Sequence, residues 1–316
     1  MSKSALIIGA GLGGLLCGRV LSRQGWTVTV LEAEDRPGGV LHSYNWEGIP
    51  CERGFHSVGG LGPGEPLEKL FRPLGLMDLP WYRADADEGF PFLRLNACSE
   101  FEQAHIVDLF RQSVWRLRGG GDTLVQALAE GLDIRYGKRV QSIQDQALVC
   151  EDGEAFQADV IVSDLPPLQT VQMVKDHIRP SYAHRLRKLE NGPDICTVYC
   201  LLEEGCVPWR SGALFLEDLM LYFDEPETSV LELLCFGEGH PETMIARAKA
   251  CFPGLSVKRY HTLHSPGYGI VKHSNADYIS AETPLPWLFL TGQNLGLHGI
   301  MGTTISAINT CKSITL

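Results

Sequence analysis

The sequence predicts an α/β protein organised around a parallel sheet, and three observations carry that prediction. Residues 5–8 (Ala-Leu-Ile-Ile) form a short apolar run of the kind a strand buried on both faces needs. Glycines at 9, 11 and 14 follow at once and open a helical stretch, 15–24, in which Leu16/Val20 and Cys17/Leu21 recur at four-residue spacing. Residues 27–31, rich in β-branched side chains, then give a second strand that ends in the acid Glu32.

Each position of this strand–helix–strand unit suits the holding of a dinucleotide. Gly9 permits the tight turn from strand into helix. Gly11 has no Cβ, so a pyrophosphate can approach the backbone, and Gly13 lies in the same loop. Gly14 lets the helix lie close to the strand, and Gly18 does the same one turn later. The helix N-terminus offers free N–H groups and a positive dipole end to phosphates. Gly25 suits the C′ position, where positive φ is wanted. Glu32 can accept hydrogen bonds from both hydroxyls of an adenosine ribose and would repel a 2′-phosphate, which favours FAD or NAD over NADP. The next turn is Arg36-Pro37-Gly38-Gly39. Gly38 and Gly39 allow close backbone approach there, and Arg36 is suited to a second phosphate contact.

Composition narrows the partners. At 316 residues, one large domain or two intimate ones are expected. The net charge of −11 argues against nucleic acid and leaves no basic patch for an anionic membrane. The ten cysteines form no C-x-x-C pair, and the cluster Cys196, Cys200, Cys206 matches no usual zinc or disulfide framework. Most lie in apolar runs, where Cys acts as a small hydrophobe. No apolar run reaches the ~18 residues of a spanning helix. The first strand starts without a signal peptide before it, so a reduced, cytoplasmic setting is expected. Asp85, Asp87 and Glu88 read as a solvated loop. His261 and His264 would form a metal pair only with a third ligand, so no metal is expected.

The remaining elements follow in order. Residues 61–79 read as one helix, with Leu67, Leu70, Phe71 and Leu74 at helical spacing. Residues 117–128 read as a glycine turn leading into a helix, with Asp122 or Thr123 as N-cap. Strands are expected at 133–136 and 139–143, a hairpin at 146–156 around an acidic turn, and a buried parallel-type strand at 159–163, before Asp164-Leu165-Pro166-Pro167. A helix over 169–188, strands at 195–202 and 231–236, and a helix over 242–251 belong to a second domain. Residues 288–290 form an apolar strand turned by Gly292. Gly299 and Gly302 open a final helix, 303–312, with Ile305 and Ile308 as core positions.

The acid that closes the second strand, the Arg36-x-Gly38-Gly39 turn, and a hairpin ending in Glu52-Arg53-Gly54 together resemble the FAD-binding amine oxidase and phytoene desaturase superfamily. Glu52 stands where that family usually carries Asp. Phe55-His56-Ser57-Val58-Gly59-Gly60 and the C-terminal block, residues 264–270 and 287–302, resemble its carotenoid isomerase and retinol saturase branch, with Ser57 in place of a Tyr. The resemblance implies an α/β fold with an FAD-binding Rossmann-type, glutathione-reductase-like domain from 1–60, 117–167 and 265–316. A reduced α+β substrate domain would come from 61–116 and 168–264, shortened mainly between Gly60 and Leu117.

The resemblance also implies a chemistry. FAD would be the cofactor. Val140 would give its backbone to the adenine, and Gln293 would stand where other members carry an acid near the ribityl–pyrophosphate. Gly292, Gly299 and Ile300 would lie in the flavin-facing segment, where a helix N-terminus can meet the negative charge of the reduced ring. The expected reaction is hydride transfer between flavin N5 and a hydrophobic, conjugated or carrier-protein-bound substrate. A redox-neutral double-bond isomerase and a non-catalytic flavin-binding partner protein are the alternatives. His56 and His298 would approach the isoalloxazine, with Tyr268 on the substrate side and His56 as candidate base. The electron acceptor is not identified by the sequence, and homo-oligomerisation is left open.

Overall fold

The structure is a computed structural model and describes residues 3–54, 57–83, 113–175, 178–189, 192, 194–206, 208, 211–216, 219–224, 229–265, 278–296 and 299–315. Ser4–Ile8 (β1) runs into Leu12–Arg23 (α1), which returns to Thr27–Leu31 (β2). The helix begins earlier than its apolar spacing suggests, because Leu15 N already donates to Gly11 O at 2.9 Å. Gly25 ends it at φ +86°, as the C′ position requires. Tyr44–Trp46 (β3) and Ile49–Cys51 (β4) make the expected hairpin, and Val58–Gly59 (β5) follows.

The single helix expected over 61–79 does not form. Pro66–Phe71 (α2) gives way to 3₁₀ turns at Arg72–Leu74 and Leu76–Asp78, with Gly75 between them at φ +72°. Pro73 has no N–H for a helical bond and clashes with the preceding turn, so the apolar spacing continues without the helix. Trp81–Arg83 (β6) and Val114–Leu117 (β7) complete a three-stranded sheet with β5.

Gly120–Ala129 (α3) is capped by Gly119, at φ +73°, and not by Asp122 or Thr123. Asp122 instead accepts from Ser43 N at 3.1 Å and from the Ser43 hydroxyl, and Thr123 Oγ1 donates to Arg118 O at 3.0 Å. Asp133–Arg135 (β8), Val140–Gln144 (β9), Ala147–Cys150 (β10), Ala155–Gln157 (β11) and Val160–Ser163 (β12) follow the expected order. The helix expected over 169–188 is two helices, Pro167–Met173 (α4) and Pro180–Arg187 (α5). Val174 turns extended after the first, and Pro180 starts the second at its first position, where a missing N–H costs nothing.

Ile195–Leu202 (β13), Ser211–Leu216 (β14), Leu219–Asp224 (β15), Val230–Phe236 (β16), Pro241–Cys251 (α6) and Val257–Ser265 (β17) make the second α+β region. Leu288–Leu290 (β18) and Gly299–Thr315 (α7) end the described chain. His261 and His264 lie on β17, three residues apart, which sends them to opposite faces of the strand. Among the described residues no group of three His, Cys, Asp or Glu is placed to hold a metal ion, and no helix is long and apolar enough to cross a membrane.

The central sheet has the order β18-β12-β1-β2-β8, every neighbouring pair parallel. Alternation along β1 divides two cores. Ala5 and Ile7 point to the side of α1, α3 and α7, where Leu16, Cys17, Leu124, Leu128, Ala307 and Cys311 pack. Leu6 and Ile8 point to the other side, against Val140, Ile143 and Leu148 of the small β9–β10–β11 sheet. The result is three layers, with the carboxyl ends of β1, β12 and β18 side by side. The second large sheet has the order β14-β15-β16-β13-β17. Its Cys196, Val198, Leu231 and Leu233 pack on Met244 and Ala248 of α6, while Tyr199 and Val230 on the opposite face pack on Trp46 and Cys51 of the β3–β4 hairpin.

Candidate dinucleotide-binding site

The loop from β1 to α1 is shaped by what its glycines leave empty. Gly9 turns at φ +94°. A Cβ on Gly14 would overlap the Gly9 carbonyl, so helix and strand approach more closely than any side chain allows. A Cβ on Gly11 would fall 2.7 Å from Asp164 Oδ2, and one on Gly13 would collide with Asp164 Oδ1 and come 2.8 Å from Gly292 Cα. Gly292, at φ +92°, closes the loop from the β18 side. Gly38 N donates to Ala10 O at 2.7 Å, and Gly39 lies against Gly11. The structure therefore brings Gly9, Gly11, Gly13, Gly14, Gly38, Gly39 and Gly292 to one place.

Glu32 ends β2 beside them and is buried. Its Oε2 accepts from Ala10 N at 2.7 Å and its Oε1 from Glu34 N at 2.9 Å. Each oxygen has a second lone pair for a further donor. The chain between β8 and β9 passes alongside, with Lys138 N donating to Glu32 O at 2.8 Å, and Val140 is buried just beyond it, in the core that holds Leu31. Arg36 is exposed at the start of the Gly38-Gly39 turn. Burial first, then the charges of Arg36 and Arg53, lower the pKa of His42, whose Nε2 lies 2.9 Å from Arg53 Nη1. Gln293 opens a 3₁₀ turn directly after Gly292, and Gly299 and Ile300 begin α7. Ile300 packs on the core of α1 and α3. His56, His298 and Tyr268 lie outside the described residues.

Two acids complete the picture, and the first was not recognised from the sequence. Asp164, just past β12, turns its carboxylate into the loop, with its oxygens where Cβ atoms on Gly11, Gly13 and Gly292 would fall and facing the N–H groups of Gly14 and Gly13. Burial pushes its carboxyl up to about 7, the facing N–H groups of Gly14 and Gly13 work against that rise, and the charge of Glu32 adds to it. The signal was available: an acid at the carboxyl end of a parallel-type strand stands where open α/β sheets bind ligands. The second acid is Glu52, held by the N–H of Gly121 at 3.3 Å. Burial, and then the neighbouring Glu232 carboxylate, push it up to about 8. Glu52 N donates to Glu232 Oε1 at 3.2 Å, and the Tyr199 hydroxyl donates to Glu52 O at 2.8 Å, so the hairpin is tied to the second sheet.

The glycine cradle, which has no room for a Cβ at Gly11, Gly13, Gly14 or Gly292, the N-terminus of α1 and the buried acid fit a dinucleotide with an unphosphorylated ribose. Comparison with known proteins agrees. Residues 7–74 match an NAD(P)-binding Rossmann-like domain, and residues 80–253, more than half of the chain, match the flavin containing amine oxidoreductase model. The chain belongs to the flavin containing amine oxidoreductase family. FAD is the cofactor that this pair of matches supports. Probable polyamine oxidase 4 of Arabidopsis thaliana is 38% identical over 88 residues, 28% of this chain and 17% of that one. All-trans-retinol 13,14-reductase of Danio rerio is 34% identical over 77 residues, 24% of this chain and 13% of that one. The chain thus spans under a fifth of the length of these relatives. An oxidoreductase from Methanosarcina mazei has the same fold at a TM-score of 0.72 and 17% identity, covering 98% of this chain and 100% of that one.

Proposed function

We propose that this family member is an FAD-dependent oxidoreductase acting by hydride transfer on a hydrophobic, conjugated or carrier-bound substrate. The observation that carries the reading is the glycine cradle with Glu32 at its rim. Bound FAD supplies hydride chemistry at flavin N5. The chain's own residues bind and orient. The N–H groups at the start of α1 hold the pyrophosphate, Glu32 takes the adenosine ribose, Val140 the adenine, and Arg36 with Gly38 and Gly39 a second phosphate contact. Gly292, Gln293, Gly299 and Ile300 flank the flavin end. His56, the proposed base, and His298 approach the isoalloxazine, with Tyr268 on the substrate side. In this reading 1–60, 117–167 and 265–316 bind FAD, while 61–116 and 168–264 form the substrate side.

The likeness to a retinol reductase supports an extended apolar substrate, since retinol is a polyene. The polyamine oxidase likeness names the competing class. Anaerobic incubation of the full chain with a polyene alcohol and, separately, with spermidine decides between them through the flavin absorbance. Bleaching by the polyene alone is expected. Bleaching by spermidine alone would move the substrate to amines; no bleaching but a product of unchanged mass would favour the isomerase, and neither bleaching nor product with any member of either class would favour a non-catalytic flavoprotein.

A further inference from the structure

The cradle is already partly filled by the protein itself. The Asp164 carboxylate faces the N–H groups of Gly13 and Gly14, which a helix N-terminus ordinarily presents to a phosphate. Its oxygens also take up the space that the missing side chains of Gly11, Gly13 and Gly292 keep open. We propose that Asp164 is a cofactor-binding residue that occupies the phosphate position in the absence of FAD, yields Gly13 and Gly14 to the pyrophosphate on binding, and takes up a proton so that its carboxylic acid donates to a phosphate oxygen. The proposal rests on the reading of this loop as the FAD site.

Charge balance is what makes the proton necessary. A carboxylate and a pyrophosphate at one helix end repel each other in a poorly solvated space. The titratable groups that face Asp164 from the packed elements are Glu32, from the end of β2, and Cys17, from α1, with Cys311 of α7 behind Cys17. Its own strand end contributes Ser163, and the β18 side contributes Thr291 and Gly292. Glu32 is an acid, and burial holds the Cys17 thiol neutral by raising its pKa well above the usual value. Among the described residues, none of these groups supplies a positive charge. Protonation removes the repulsion and converts Asp164 from a competitor for the two N–H groups into a donor. Its carboxyl already titrates at about 7 without the pyrophosphate, so the proton is within reach near neutral pH.

The test measures FAD affinity rather than turnover. The full chain, freed of flavin, is titrated with FAD at pH 6.5, 7.5 and 8.5 by fluorescence quenching. Linkage of one proton predicts that the Kd of the unmodified protein rises ~10-fold from pH 7.5 to 8.5. Asp164→Asn has an amide that donates without a proton, so its Kd should be the same at all three values and lower than wild type by ~10-fold at pH 8.5. Asp164→Ala should also be pH-independent, but weaker than Asp164→Asn. Calorimetry of the unmodified protein at pH 8, in buffers of different ionisation enthalpy, should register about one proton taken up per FAD. A Kd independent of pH, no proton uptake, or the same pH slope in Asp164→Asn overturns the proposal while leaving the FAD site standing. Failure of the unmodified chain to bind FAD at any pH removes the site and the proposal together.

Discussion

Gly11 shows how little room one residue has. The space a side chain would occupy there is shared between the Asp164 carboxylate and, in the proposed complex, the pyrophosphate. Gly11→Asp places a second carboxylate in that space, adding collision and repulsion together. We expect loss of at least ~3 kcal/mol of FAD binding, more than a hundredfold in affinity, while the apoprotein keeps its secondary structure. Flavin stoichiometry after gel filtration, with circular dichroism on the same sample, checks this. One FAD retained per chain in dilute solution would show that the phosphate lies elsewhere. Asp164 was the residue least legible in the sequence, and for a physical reason. Its role is set by Gly13 and Gly292, which lie far from it along the chain and reach it only through the sheet order.

At the scale of the element, α1 carries two glycines that are needed for opposite reasons. Gly14 has no unusual φ, but the Gly9 carbonyl and Ile7 Cγ2, the latter 3.2 Å away, occupy the space around its missing Cβ. Gly25 has open space around it, yet sits at φ +86°. Gly14→Ala should push the helix off β1 and cost ~1–3 kcal/mol, together with weaker FAD binding. Gly25→Ala should cost about 1 kcal/mol and leave FAD binding unchanged. Equal loss of FAD binding in both variants, measured beside thermal melts, would refute this division. Elements of this kind are legible because local spacing and glycine placement specify them, as they do β2, β12 and β18. The helix breaks at Pro73 and Val174 were missed because apolar spacing continues through them. The β17 strand has no comparable signal. Val-Lys-Arg-Tyr-His-Thr-Leu-His-Ser is largely polar, and its pairing along β13, from Ser265 opposite Ile195 to Val257 opposite Leu202, makes it a strand.

Across the whole molecule the two raised acids act in the same direction. Between the unfolded carboxyl values and the folded ones, about 8 for Glu52 and about 7 for Asp164, the native protein holds protons that the unfolded chain has released. Their contribution to stability is therefore fully present below about pH 4 and is lost progressively as pH rises to about 7 for Asp164 and about 8 for Glu52. The Glu52 share is on the order of 2 kcal/mol after allowance for its partial exposure. Glu52→Gln keeps an acceptor for Gly121 N and carries no charge. Its Tm should exceed that of wild type by a few degrees at pH 8 and match it near pH 5, flattening the profile. Identical melting profiles from pH 5 to 8 would mean that Glu52 is already ionised at neutral pH.

The contact between Gly13 and Gly292 has a consequence for synthesis. Almost the whole described chain separates the two halves of the cradle, and β18 reaches β1 only through β12. At roughly 5–20 residues per second, the first half waits on the order of tens of seconds for the second. Through that interval the face of α1 that carries Leu16 and Cys17 has no α7 to cover it. Such distant pairing slows folding and leaves a nascent intermediate open to aggregation. FAD is then expected to enter only after translation has passed Gly292, as the last step of maturation rather than a template for the first.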